Sequence, residues 1–228
     1  MENGIYIDYI ARIHTDFATK FGVPRQSGLV PELRSSIVFE PQFRNPDALR
    51  GIEDFSHIWL IWHFSEADRE SWSPTVRPPR LGGNRRLGVF ATRSPFRPNS
   101  LALSCVKLES VELSRTNGPV LHVSGADLMD GTPIFDIKPY IPYADCRPEA
   151  SGGFTDEVER RCLTVVIPDG LRTALPPEKL ASLTGVLEND PRPSYQDDPE
   201  RVYGFGFAGA EVRFRVSGEV LTVVSIEK

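Results

Sequence analysis

The chain has 228 residues, 40% of them hydrophobic, and a formal net charge of −5, enough to bury a full core in one domain or in one domain with a small appendage. It contains no run of about 18 apolar residues and no basic-then-apolar signal peptide, so it reads as a soluble, cytoplasmic protein with no membrane partner. Cys105, Cys146 and Cys162 lack CxxC spacing, which argues against a disulfide framework and a thiolate metal site.

Short β-type runs predominate over the first two thirds, at 5–13, 36–43, 56–64, 87–91, 101–113, 120–125 and 134–141, most of them separated by turn residues. In 56–64 the two-residue period sends His57, Trp59, Ile61 and His63 to one face and Ile58, Leu60, Trp62 and Phe64 to the other. Both faces are largely apolar, so this strand is central. Strands at this spacing with little helical periodicity between them predict a closed or nearly closed antiparallel barrel, which also removes exposed edges. No GxGxxG follows a strand and no βαβ alternation occurs, which disfavours a Rossmann sheet.

Residues 71–108 carry Arg77, Arg80, Arg85, Arg86, Arg93, Arg97 and Lys107 and no acidic residue, leaving −12 on the rest of the chain. The arginines are interleaved with Pro78, Pro79, Gly82 and Gly83, which fix backbone directions and cannot continue a helix. That pattern points to a shaped anionic pocket or a phosphate track. Arg93 and Arg97 stand among turn residues in Gly88–Asn99, and the runs from Asp127 to Pro133 and from Asp136 to Tyr140 repeat charges inside a Gly/Pro frame. Such segments suggest one site.

After Ala150-Ser151-Gly152-Gly153, a plausible linker, the texture changes. A helix opens at Pro176-Pro177-Glu178, places Leu180, Leu183 and Leu187 on one face and ends before Asp190-Pro191. Strands are expected at 201–207, 211–216 and 219–226, with Val212, Phe214 and Val216 alternating with Glu211, Arg213 and Arg215 as in a sheet wet on one side. The organisation is therefore mainly β: a small antiparallel β-barrel at 1–150, then a small α+β domain at 151–228 that carries Arg192, Arg201, Arg213 and Arg215.

His57 and His63 share a strand face near Asp54, but six strand residues span about 20 Å, too far for one metal ion. Ser94 and Ser104 lack a GxSxG elbow, and no Walker lysine follows Gly82-Gly83. Guanidinium, backbone amide, carboxylate and lysine remain, an inventory suited to group transfer from a bound carrier with an amino-acid tail and an adenosine.

The motifs Pro24-Arg25-Gln26, 76–84, Gly88–Asn99 and 127–143 closely resemble the YaeB/TsaA (TrmO) family, as do Asp190-Pro191-Arg192-Pro193 with Tyr195 and the closing strand. The family consists of S-adenosylmethionine-dependent tRNA methyltransferases. The resemblance implies a non-Rossmann barrel, a homodimer with cofactor at its interface, and methylation of N6 of N6-threonylcarbamoyladenosine at position 37 in tRNAs reading A-starting codons. It also implies cofactor contacts at Pro24, Arg25, Gln26, His63, Phe64, Arg93, Leu103, Asp130, Gly131, Thr132 and Pro133. Ser100 and Ala102 replace a Pro and a Gly that many relatives carry, so Ala102 fits only if that position needs no positive φ.

On that basis N6 attacks a sulfonium methyl in line, with alignment supplying much of the acceleration and no metal required. Asp136, Lys138 and Tyr140 alternate on one strand face and are assigned nearest the acceptor nitrogen. Asp136 with Lys138 also suits a plain strand-face ion pair. Arg77, Arg80, Arg85 and Arg86 are assigned to phosphates of the anticodon loop, where an unpaired base is cheaper to unstack. Arg192, Arg201, Arg213 and Arg215 of the C-terminal domain are a second candidate tRNA contact that also suits a plain solvated face. The competing reading is a non-catalytic barrel that binds S-adenosylmethionine or an anionic metabolite.

Overall fold

A computed structural model describes residues 4–67, 71–78, 85–157, 162–192 and 198–228. Arg80, Gly82, Gly83, Pro193 and Tyr195 lie outside the described residues. In chain order the strands and helices are β1 (Ala11–His14), β2 (Arg34–Phe39), β3 (His57–His63), β4 (Thr75–Val76), β5 (Leu87–Gly88), β6 (Leu101–Ser114), β7 (Gly118–Ser124), β8 (Pro133–Pro139), α1 (Pro142–Asp145), β9 (Thr164–Val166), α2 (Pro177–Glu188), β10 (Tyr203–Phe207), β11 (Ala210–Ser217) and β12 (Val220–Glu227).

Six strands close an antiparallel barrel in the order β1-β2-β7-β6-β3-β8. Alternation sends Ile13, Ile37, Ile58, Leu60, Val106, Leu121 and Ile134 into a shared core. In β3 the faces differ as the period requires: Ile58, Leu60 and Trp62 are buried, while His57, Trp59, Ile61 and His63 are half-covered on the outside.

Three predicted strands are shorter than expected. The ladder between β1 and β8 ends at Ala11–Ile134, extended only by the Ile10 N–H donating to the Ile134 carbonyl, and Ile5, Tyr6 and Ile7 are exposed. β2 stops at Phe39 because Pro41 has no N–H for a ladder and opens a 3-10 turn. Only Leu87–Gly88 of 87–91 pairs as β5: Val89 N–H donates to the Pro74 carbonyl, but Pro74 cannot donate back, and Val89–Ala91 turns instead.

The second sheet has the order β10-β11-β12-β9. β10 and β11 are joined through Ala208 and Gly209, both at positive φ (51° and 75°), the geometry of a two-residue hairpin turn. β9, three residues parallel to β12, was not foreseen, being too short to show a period. α2 lays Leu183, Val186 and Leu187 on this sheet, each burial worth roughly 1.5–3 kcal/mol. The second core also takes in Phe17, Val30 and Leu33, from the chain between β1 and β2.

Candidate active site

Because the barrel strands alternate in direction, β1, β3 and β7 end where β2, β6 and β8 begin, as the partners His14–Ser36, Arg34–Ser124, His63–Leu101 and Trp62–Ile134 fix. Pro24, Arg25 and Gln26 lie in the connection from β1 to β2, Phe64 follows β3, Arg93 precedes β6, and Asp130, Gly131 and Thr132 lead into Pro133 of β8. His63 and Leu103 are at or near the same strand ends. The topology gathers all of these positions at one barrel end.

There, the Arg93 guanidinium donates to the Gln26 side-chain oxygen and lies in the electrostatic reach of Asp127. Asp127 closes a chain running into the core: Trp62 Nε1 donates to Ser104 Oγ at 2.9 Å, and Ser104 Oγ donates to Asp127 Oδ1 at 2.6 Å. Burial pushes the Asp127 carboxyl above its ordinary range, opposed by the hydrogen bonds from Ser104 and the backbone and by the Arg93 charge. Arg97, left unassigned by the sequence, donates to the carbonyls of Thr92 at 3.0 Å and Ser94 at 3.4 Å and so closes its own loop.

The turn before β8 is fixed from within. Asp130 Oδ1 accepts from the Thr15 N–H at 3.0 Å and contacts His14 Nδ1 at 3.2 Å, and Thr132 Oγ1 donates to the Met129 carbonyl at 2.8 Å. Gly131 sits at φ 74°, and a Cβ there would meet nothing within 4 Å, so no side chain covers the turn, while its N–H donates to the Ile13 carbonyl at 2.8 Å and its carbonyl accepts from Arg12 Nη1 at 3.0 Å. The Asp130 carboxylate therefore shapes the turn.

Outside the barrel, one rung sets Leu103, Ile61 and Asp136 side by side, which puts Leu103 and Asp136 two strand spacings, about 10 Å, apart. The register then passes from Ile61–Asp136 to Trp62–Ile134, leaving Phe135 as the extra residue of a bulge. Phe135 packs with Tyr9 and His63 at ring distances of 5.1 and 5.6 Å, and the Tyr9 hydroxyl meets His63 Nδ1 at 2.6 Å.

Lys138 Nζ lies 3.1 Å from Asp136 Oδ2, while Asp136 Oδ1 accepts from the Ile137 N–H at 2.9 Å. Tyr140 is four strand residues from Asp136, about 13 Å along the strand. It packs instead on His57 and Trp59, at 6.2 and 5.8 Å. Desolvation first, then the neighbouring Cys146, push its phenol above the ordinary value. Trp59 Nε1 donates to Asp145 Oδ2 at 3.1 Å, tying α1 to this far part of the face.

Two family models match the chain: the tRNA-methyltransferase O N-terminal domain over residues 12–146 and the TrmO C-terminal domain over 154–228. The chain belongs to the TrmO family. It is 38% identical over 235 aligned residues to the tRNA (adenine(37)-N6)-methyltransferase of Escherichia coli K12, covering 96% of this chain and 97% of that one. It is 42% identical over 204 residues to a Pseudomonas aeruginosa protein named putative S-adenosylmethionine-dependent methyltransferase RcsF, covering 86% and 85% of the two chains. The crystal structure of TrmO from Pseudomonas aeruginosa superposes with a TM-score of 0.80 at 31% identity, over 99% of this chain and 100% of that one. Ala102, where many members of the TrmO family carry glycine, lies in β6 opposite Trp62 and is not among the residues at positive φ.

The arginines assigned to RNA belong to the β4–β5 part of the β3-to-β6 connection, the same connection that carries Phe64 and Arg93. Arg77 and Arg86 flank the β4–β5 pair and are exposed; Arg86 donates to Thr75 Oγ1 at 3.3 Å and Arg85 to Glu157 at 3.0 Å. Beside them Trp72 and Phe90 are 50% and 73% exposed, with ring centroids 6.2 Å apart. The sequence reading passed over both, although their flanking of a segment without acids was a usable signal. It also passed over Asp127 as a site residue, and Tyr9. Among the C-terminal arginines, Arg192 is buried at 8% exposure against Asp190 and cannot serve as an RNA contact, a correction its charge alone could not reveal. Arg201 lies over the Tyr203 ring at 5.3 Å, whereas Arg213 and Arg215 are on the wet face of β11.

Proposed function

We propose that this protein is a tRNA methyltransferase that moves a methyl group from S-adenosylmethionine to N6 of adenine 37, with N6-threonylcarbamoyladenosine as the substrate form in tRNAs reading A-starting codons. The observation that carries the reading is the gathering of Pro24–Gln26, His63–Phe64, Arg93, Leu103 and Asp130–Pro133 at one barrel end, in a chain whose relatives are named for that activity and that cofactor. The residues fit the carrier: Arg93 for a carboxylate, the turn at Gly131, uncovered by any side chain there, as a surface for ribose and base, and Leu103 with Phe64 as apolar wall. When bound, S-adenosylmethionine supplies an electrophilic methyl on a positively charged sulfur.

The chain's own part is placement and proton removal. Asp136 is the nearest of the three assigned catalytic positions to Leu103 and the barrel end. It accepts the N6 proton as the nitrogen–carbon bond forms and the carbon–sulfur bond breaks, and Lys138 holds the carboxylate in place. A nitrogen that has taken a methyl is a strong acid, so a carboxylate suffices as base. Tyr140 acts at a distance, as part of the packed wall with Trp59.

Arg77, Arg85 and Arg86, with Arg80, follow the anticodon-loop phosphates, and the exposed rings of Trp72 and Phe90 face unpaired bases. Leu101 and Leu103, exposed on the barrel wall next to the site, support a homodimer closed over it. Residues 1–150 form the methyltransferase domain and 151–228 an α+β domain. No helix among the described residues is long and apolar enough to cross a membrane, and a tRNA substrate suits a cytoplasmic location.

The test is nucleoside mass spectrometry of threonylcarbamoylated tRNA incubated with the protein and S-adenosylmethionine. One added methyl on that nucleoside supports the reading. No product, with S-adenosylmethionine binding still dependent on Arg93, would leave a binding module instead.

A further inference from the structure

Two hydrogen bonds of Arg25 lead away from the barrel. Its Nη2 donates to the carbonyl oxygens of Arg192 at 2.9 Å and Asp190 at 3.4 Å, in the chain that follows α2. Those carbonyls are aimed by a rigid turn. Asp190 sits at φ 46°, a left-handed conformation that Asp adopts more readily than most side chains. Its Oδ1 accepts from the Arg192 Nε at 2.9 Å and backbone N–H at 3.2 Å, and its Oδ2 accepts from Arg192 Nη2 at 2.9 Å. With Arg192 buried, this forked ion pair fixes direction as well as distance.

Arg25 lies in a segment held from both sides. Toward the second core, Phe17, Val30 and Leu33 are buried in it, Lys179 of α2 donates to both carboxylate oxygens of Asp16 at 2.8 and 2.6 Å, and Ser182 donates to the Glu32 carbonyl at 2.8 Å. Toward the barrel, the Gly28 N–H donates to the Gly125 carbonyl and the Asp130 N–H to the Phe17 carbonyl, each at 2.8 Å. Between these anchors Gln26 Nε2 donates to the Arg25 carbonyl at 2.5 Å, and the Gln26 oxygen receives Arg93.

We infer that Asp190 and Arg192 are positioning residues for the methyl-donor site: they orient Arg25, Arg25 orients Gln26, and Gln26 orients Arg93. The C-terminal part of the chain thereby completes a site whose ligand-facing groups all sit at the barrel end. The inference rests on reading that end as the donor site. It differs from a direct ligand contact by the Arg25 guanidinium, for which Arg192 would be irrelevant.

The experiment pairs calorimetric titration of the full chain with S-adenosylhomocysteine and hydrogen exchange of the Gly28 amide. Arg192→Met and Arg25→Met are each expected to weaken binding about tenfold, the order for one lost hydrogen bond from a charged group, and to speed Gly28 exchange. The double variant is expected to lose no more than the worse single one, because the two residues act in series. Lys179→Met, which loosens the same segment elsewhere, is expected to lower the melting temperature and spare binding. Should Arg192→Met fail to fold, Arg192→Lys keeps the charge but loses the fork and carries the same expectation.

Unchanged binding in Arg192→Met, additive losses in the double variant, or an equal loss in Lys179→Met would each overturn the inference. Absence of binding by the unaltered protein would instead refute the donor-site reading. Gly28 exchange would then decide the coupling alone, faster exchange in Arg192→Met supporting it and unchanged exchange overturning it.

Discussion

At the barrel end, Arg97 donates to Thr92 and Ser94, Arg93 to Gln26, and Arg25 to Asp190 and Arg192. On the β4–β5 hairpin, twenty and eleven residues before Arg97, Arg77 and Arg86 are exposed beside two exposed aromatic rings. The same side chain ties separate segments together in one region, where Arg25 and Arg93 are still exposed, and in the other stays with its own hairpin, Arg86 donating to Thr75 Oγ1. The difference shows that a run of arginines need not be one surface: backbone direction, set by Pro and Gly, decides which guanidinium reaches a carbonyl of another segment and which stays beside its own hairpin.

Substitutions in the two regions should therefore fail differently. The largest expected effect is Asp136→Asn, which should lower kcat about 100-fold with S-adenosylmethionine affinity intact, in single-turnover methylation and calorimetry. Next, Arg93→Ala should weaken S-adenosylmethionine binding roughly 10- to 100-fold and leave tRNA affinity near normal. On the hairpin the pattern should reverse. Trp72→Ala with Phe90→Ala should weaken tRNA binding about tenfold, the order of one lost base stack, with cofactor binding unchanged in filter-binding and calorimetric assays. Replacing Arg77 and Arg86 by Ala should reduce the slope of log affinity against log salt by about 2. Loss of both ligands in either set would erase the distinction.

The smallest effect is expected on the barrel wall, away from both regions. Hydrogen bonds from Ser124 first, then from Arg34 and Lys107, hold the Glu109 carboxyl down at about 2, against an ordinary 4.5. A carboxyl depressed on folding adds stability above its unfolded pKa and loses it as the pH falls through the folded one. Stability should thus decline between pH 4.5 and about 2, and Glu109→Gln should flatten the melting temperature across that window.

Part of the barrel was legible because burial imposes a period of two, as in β3 and in the first half of β6, and α2 carries the helical spacing of Leu180, Leu183 and Leu187; β7 and β8 bury neighbouring residues in succession and show instead as short β-type runs between turns. The connection from Phe17 to Leu33 was not legible. Its apolar residues follow no period, since they fill a core made by strands nearly 200 residues later. The gathering of site residues follows from strand direction, which motifs alone do not give. Tyr140 shared a face with Asp136 by parity, yet parity says nothing of the distance along the strand that separates them. Arg192 looked like a surface charge because its partner, Asp190, becomes visible only through a left-handed turn.

The most direct test of the account is a crystal structure of the protein with S-adenosylhomocysteine. The expected result has the carboxylate on Arg93, the ligand's ribose and base against the Asp130–Pro133 turn and Leu103, and the sulfur directed toward the outer face that carries Asp136. A ligand seated on the β4–β5 hairpin, or at the barrel end with its sulfur turned away from Asp136, would contradict it.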